Sequence, residues 1–119
     1  MPKPQPRNLK LKLSDIDANL LPPDARRAGA SAQVNAASQL IRKLFREIGG
    51  VIQSLAFTGD QVAIAWQPEP GADPVDPIVK MLKDGRHQEA ALLAEILLSD
   101  DQHNPQLLYN LGMAYSDLG

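Results

Sequence analysis

Residues 105–119 read PQLLYNLGMAYSDLG. A large apolar residue, a Leu-Gly pair and a tyrosine recur here at helical spacing: Leu108, Leu111-Gly112, Tyr115. Steps of three and four residues place them on adjoining positions of one helix surface. Glycine in a helix interior costs about 1 kcal/mol relative to alanine. Gly112 therefore predicts a neighbouring helix that comes close to its bare backbone, with Leu108, Leu111 and Tyr115 supplying apolar contact. Leu107 and Leu118 widen the apolar side. The stretch reads as part of a helical scaffold and not of a catalytic centre.

The pattern continues upstream. Pro77 suits a helix start, where a missing N–H costs nothing. Ile78, Val79, Met81 and Leu82 form a short first helix and Asp84-Gly85 a corner. His87–Leu98 is a second helix, with Ala90, Leu93, Ala94 and Leu97 on its packing side. Ser99–Asn104 turns the chain and Pro105 opens the third helix.

This part of the chain, residues 74–119, resembles a tetratricopeptide repeat, whose first helix carries W-x2-L-G-x2-Y in a period of about 34 residues. Leu108 stands in place of the tryptophan, and Leu111, Gly112 and Tyr115 match. One period before Gly119 lies Gly85, and Ala90 follows where the family has the small alanine of its second helix. Ala94, where an aromatic is usual, and the position of Pro105 depart from the pattern. The resemblance implies antiparallel helices at the start of an α-solenoid, and a protein-binding scaffold or adaptor without catalysis. It makes Gly85, Ala90, Leu108, Leu111, Gly112 and Tyr115 repeat-packing residues. It makes Gln106, Tyr109, Asn110 and Met113 a peptide-binding groove. Val75 and Val79 stand where a carboxylate clamp would want lysine and asparagine, so the implied peptide is apolar or mixed. Gly119 falls at a repeat corner, which predicts an N-terminal piece of a longer repeat protein. It also predicts self-association through the uncovered last helix or a sheet edge.

The first half follows other periods. Residues 1–8, with Pro2, Pro4 and Pro6, predict an extended tail. Leu9, Leu11 and Leu13 alternate with Lys10 and Lys12, a short strand whose lysines suit a sheet edge. Asp15–Pro23 is loop-like, and residues 24–30 predict a helical turn weakened by Gly29. From Ser31 to Ile48 the period becomes helical, with Val34, Ala37, Ile41, Leu44, Phe45 and Ile48 on one stripe. Gly49-Gly50 ends this helix. Val51, Leu55 and Phe57 then alternate, as do Val62, Ile64 and Trp66, around a Gly59-Asp60 turn. This is a β-hairpin. The fold class is α+β: a tail (1–8), a β-α-β-β unit (9–67), a Pro-rich linker (68–77) and tetratricopeptide-like helices (78–119).

Composition excludes much. The chain has 119 residues, a net charge of -2 and no cysteine. It predicts no nucleic-acid surface, no disulfide and no thiolate metal site. Nothing approaches the roughly 20 apolar residues that span a bilayer, so membrane insertion is not expected. A reducing, cytoplasmic setting fits. His87 and His103 have no ligand spacing around them and read as solvated, so no metal or cofactor is expected. Asp100-Asp101 is an unfavourable acidic pair at a helix C-terminus. The serines lack a nucleophile elbow and Gly49-Gly50 lacks the lysine of a phosphate loop. Arg42, Lys43 and Arg46 read as a solvated basic face. The expected function is protein–protein interaction. The rival expectation is a regulatory or accessory region of a larger enzyme or enzyme complex.

Overall fold

A computed structural model describes residues 6–16, 18–22, 30–71 and 73–118. The predicted turn at 24–30 up to Gly29, most of the proline-rich tail and Gly119 lie outside the described residues, as does the side chain of Leu118. Three strands form one antiparallel sheet: β1 (Arg7–Lys12), β2 (Val51–Thr58) and β3 (Gln61–Gln67), in the order β1-β3-β2. Alternation decides its faces. Leu9 and Leu11 of β1 and Val62, Ile64 and Trp66 of β3 are buried, while Lys10 and Lys12 are exposed. Gly59 alone of the two hairpin residues has positive φ, +60°, as a type II′ turn requires. Asp60 then ties the hairpin to the end of β1, its carboxylate accepting from the Ser14 N–H at 2.9 Å and hydroxyl at 2.7 Å.

The long helix α1 (Ala30–Ile48) lies on the apolar face of this sheet. The predicted stripe is the buried one, with Ala37, Ile41, Leu44, Phe45 and Ile48 at its centre. Phe45 meets Trp66 edge to face, centroids 5.3 Å apart. Gly49 and Gly50, at φ +88° and +78°, turn the chain directly into β2. Gly49 also accepts the Trp66 indole N–H at 3.0 Å.

One strand departs from simple alternation. The register steps from Ile52↔Trp66 to Ser54↔Ala65, leaving Gln53 as a β-bulge. The extra residue inverts the parity before it. Ile52 therefore joins Leu55 and Phe57 against the core, and Val51 faces solvent at 63% exposure instead of sharing their face.

Three helices follow: α2 (Val75–Lys83), α3 (His87–Leu98) and α4 (Pro105–Leu118). Helix α2 starts two residues before Pro77, because Asp73 Oδ1 accepts the Val75 N–H at 3.0 Å. Pro77 still falls in the first turn, where no carbonyl needs its donor. Helix α2 ends in a Schellman motif: Arg86 N–H to Met81 carbonyl at 2.8 Å and Gly85 N–H to Leu82 carbonyl at 3.2 Å, with Gly85 at φ +80°. Asn104 caps α4, its Oδ1 accepting from the N–H groups of Gln106 and Leu107.

Helix α3 is buried on most sides, from Ala90 through Ala94 and again at Ile96 and Leu97. It touches α2, α4 and β1. A single cluster of buried side chains runs from Leu9 and Trp66 through Ile41 and Ile78 to Leu97 and Leu107.

Two polar clamps reinforce that continuity. Arg7 donates to Asp100, at 2.9 Å from Nε, and stacks 5.6 Å from the centre of the Trp66 ring. The acidic pair after α3 thus has a partner 93 residues upstream. Arg86 forks between Glu47 of α1, at 2.6 and 2.7 Å, and Glu89 of α3, at 3.1 and 2.6 Å. Its guanidinium holds both carboxyls below the usual carboxylate range. A carboxyl with a depressed folded pKa adds stability above its unfolded pKa, and this is lost as pH falls through the folded value. Arg86→Met should therefore cost about 1–2 kcal/mol at neutral pH. The gap to wild type should close at acid pH, well below the ordinary value of 4.5. Urea unfolding at the two pH values checks it: a gap independent of pH would mean the arginine acts by packing alone.

Candidate partner-binding face

Among the described residues, helix α4 is held by one side only. Leu107 and Ala114 are buried against the helices beneath, Asn110 is 8% exposed and Leu111 is partly buried. Asn110 spends its amide on its own helix, Nδ2 donating to the Gln106 carbonyl at 2.8 Å. Four residues of the opposite side are large and apolar: Leu108 at 48% exposure, Tyr109 at 68%, Met113 at 43% and Tyr115 at 49%. Only one other large apolar side chain among the described residues, Val51, is as exposed. The exposed apolar surface is thus concentrated on one helix.

Helical geometry gives this face a shape. Leu108 and Tyr115, seven apart, fall on one flank, and Tyr109 and Met113, four apart, on the other. Gly112 and Ser116, both exposed, lie between them. A side chain added at Gly112 would meet no atom within 4 Å. The outer face is therefore a shallow furrow with a small-residue floor and apolar walls. No Lys, Arg, Asp or Glu occurs from Pro105 to Ser116.

Two sequence expectations are corrected here. Gly112 is not crowded by a neighbouring helix among the described residues, because the buried side of α4, with Leu107, Asn110 and Ala114, lies nearly half a turn away. For the same reason Leu108 and Tyr115 are half-exposed instead of being enclosed by a second helix. The expected groove of Gln106, Tyr109, Asn110 and Met113 is also divided. Gln106, Tyr109 and Met113 face out, while Asn110 is turned inward and is not available to a peptide. Of the remaining repeat-packing residues, Ala90 is fully buried and Gly85 makes the α2–α3 corner.

The other candidate chemistry separates in space. His103 is exposed in the α3–α4 turn, and His87 is half-buried at the start of α3 instead of fully solvated. Among the described residues no three His, Cys, Asp or Glu side chains come together as a metal-binding group. A small cavity of about 80 Å³ is bordered by Asp15, Gln88, Glu95 and Tyr115. Burial, and then the nearby Asp15 charge, push the Glu95 carboxyl above its ordinary range. The cavity is well below the roughly 300–1,000 Å³ of a small-molecule site. No described helix is long and apolar enough to cross a membrane. The family models, curated proteins and solved structures compared with the chain include none that matches it.

Proposed function

We propose that the protein is a non-catalytic interaction module of tetratricopeptide-like build, acting as a scaffold or adaptor. On this reading it binds a partner protein through the outer face of α4. The observation that carries the proposal is the concentration of Leu108, Tyr109, Met113 and Tyr115 around Gly112 on one side of a helix that has no charge from Pro105 to Ser116. Contiguous exposed apolar surface of this kind marks interaction sites. A furrow floored by glycine and serine admits the ridge of an apolar helix, the usual way helix surfaces interlock. The partner is therefore an amphipathic helix whose apolar side matches the furrow. The tetratricopeptide resemblance supports the same geometry, since Leu108, Gly112 and Tyr115 are the positions that face a second helix in that family. The absence of cysteine suits a cytoplasmic setting.

Without its partner, the face should pair weakly with its counterpart on another copy. Sedimentation equilibrium should show concentration-dependent association of the wild-type chain. Leu108→Lys combined with Tyr115→Lys should return it to monomer with an unchanged melting temperature, because both side chains are half-exposed. Leu107→Lys is unsuitable for this purpose, since Leu107 is 2% exposed and belongs to the core. A wild-type chain that stays monomeric at high concentration, or one whose association survives the double substitution, would remove the basis of the proposal.

A further inference from the structure

The two edges of the sheet are unlike. The β1 edge carries Lys10 and Lys12, and the Lys10 N–H donates to Ser99 Oγ at 2.9 Å. It is charged and partly covered, which is how edges are protected from pairing. Strand β2 forms the other edge. Its eight residues, VIQSLAFT, contain no charge and no proline. Among the described residues no strand pairs with its outer side.

Beside that open edge runs a groove of about 550 Å³ between α1 and the start of β2. Phe45, Val51 and Ile52 supply apolar lining, and Arg42 and Arg46 border it. These arginines are distinctive. Of the four described arginines, Arg7 is taken by Asp100 and Arg86 by Glu47 and Glu89. Arg42 and Arg46 have no carboxylate partner among the described residues, whereas Lys43 between them reaches Glu89 at 3.5 Å.

The spacings agree. Four residues along a helix advance about 6 Å. Two residues along a strand advance about 6.6 Å, which is also the step between side chains on one face. Where a strand added beside β2 runs along α1, the step between its alternate side chains matches the step from Arg42 to Arg46. Carboxylates at those positions would make charge-assisted hydrogen bonds to guanidinium. Glu69 lines the neighbouring hollow beyond Val51, so the acidic positions belong over α1 and away from it.

We propose that the β2 edge and the Arg42–Arg46 groove together form a second binding site, which takes an extended segment of a partner protein with acidic residues at alternate positions. Backbone pairing to β2 supplies affinity and the two guanidiniums supply selectivity, as in strand-addition recognition. The site is separate from the α4 furrow and does not depend on it.

The test uses a fluorescein-labelled peptide of eight residues, matched to β2 in length, with alternating glutamate and valine. Fluorescence anisotropy should show binding to the full chain that weakens with added salt. Arg42→Glu with Arg46→Glu should weaken it about tenfold or more, with melting unchanged since both side chains are exposed. The doubly substituted chain should instead prefer a peptide of alternating lysine and valine. N-methylation of every second peptide nitrogen, on the edge that would face β2, should abolish binding to wild type. Leu108→Lys should leave the affinity as it was, which separates this site from the α4 proposal. Equal binding of the acidic peptide to wild type and the double variant would overturn the assignment. So would equal binding of the N-methylated peptide, since guanidinium capture of an anion needs no strand, and so would no binding at millimolar peptide.

Discussion

Ile41→Ala should destabilise the protein by about 3–5 kcal/mol, enough to leave a domain of this size largely unfolded at modest temperature. Ile41 is fully buried in the middle of α1, between Leu44 and Ala37 on the face that covers the sheet. Truncation removes three carbons from the buried cluster that α1 shares with residues of β1 and β3. The close-packed surroundings can collapse only partly into the space. Trp66 is the single tryptophan and is 1% exposed, so its fluorescence reports this core directly. Urea unfolding followed at Trp66 and by far-ultraviolet circular dichroism should give one coincident transition, shifted to much lower urea in the variant. A shift equivalent to less than about 1 kcal/mol would mean that the helix is not held against the sheet through this side chain.

Gly50→Ala should be nearly as damaging, by a different route. Gly50 has φ +78°, a region that costs a residue with a β-carbon about 1–2 kcal/mol. The added methyl would also stand only 2.7 Å from Trp66 Nε1 and closer still to the Gln67 carbonyl oxygen. The backbone oxygen cannot step aside without breaking the β2–β3 pairing of Val51 with Gln67. The expected loss is about 3 kcal/mol or more. Gly59→Ala is the matched comparison. Gly59 also has positive φ, but nothing lies within 4 Å of its added methyl, so about 1 kcal/mol is expected. Thermal melts of the two variants side by side would show the contribution of the clash. Equal losses would mean the strand junction is looser than described.

Both halves of the fold were legible in the sequence because they are built from local periodicities. The stripe Ala37–Ile48, the alternation of Val62, Ile64 and Trp66, and the Gly59-Asp60 turn each state a period and a stop within twenty residues. What escaped was non-local. The bulge at Gln53 depends on how β2 is registered against β3, so Val51 looked like a core residue from alternation alone. The Arg7–Asp100 and Arg86–Glu47 pairs join residues 93 and 39 apart, and nothing near either arginine announces its partner. The face of α4 was misjudged by one helical step for a related reason. Its motif residues Leu108, Gly112 and Tyr115 are apolar or small on a helix that is apolar nearly all round. Periodicity could not say whether α3 would take that side or the side of Leu107 and Ala114. The motif residues could therefore be named from the sequence, but their division into packed and exposed came only with the neighbours in place. Arg42, Lys43 and Arg46 read alike as a solvated face, and only the structure separated Lys43, which reaches Glu89, from the two arginines, which have no carboxylate partner among the described residues.

The clamp between β1 and the turn after α3 also bears on the order of events as the chain is made. Arg7 and Lys10 leave the ribosome well before Asp100 and Ser99, which fix them and come 93 and 89 residues later. At about 5–20 residues per second, translation leaves β1 without these partners for roughly 5–20 s. During that interval an apolar alternating strand is a hazard to its neighbours on a polysome. Lys10 and Lys12 place a positive charge at every second position of it, on the face that later remains in solvent. Those lysines make no salt bridge among the described residues. The charges that guard the β1 edge in the folded protein would thus act earlier as well, as gatekeepers that keep nascent copies apart until the end of α3 arrives.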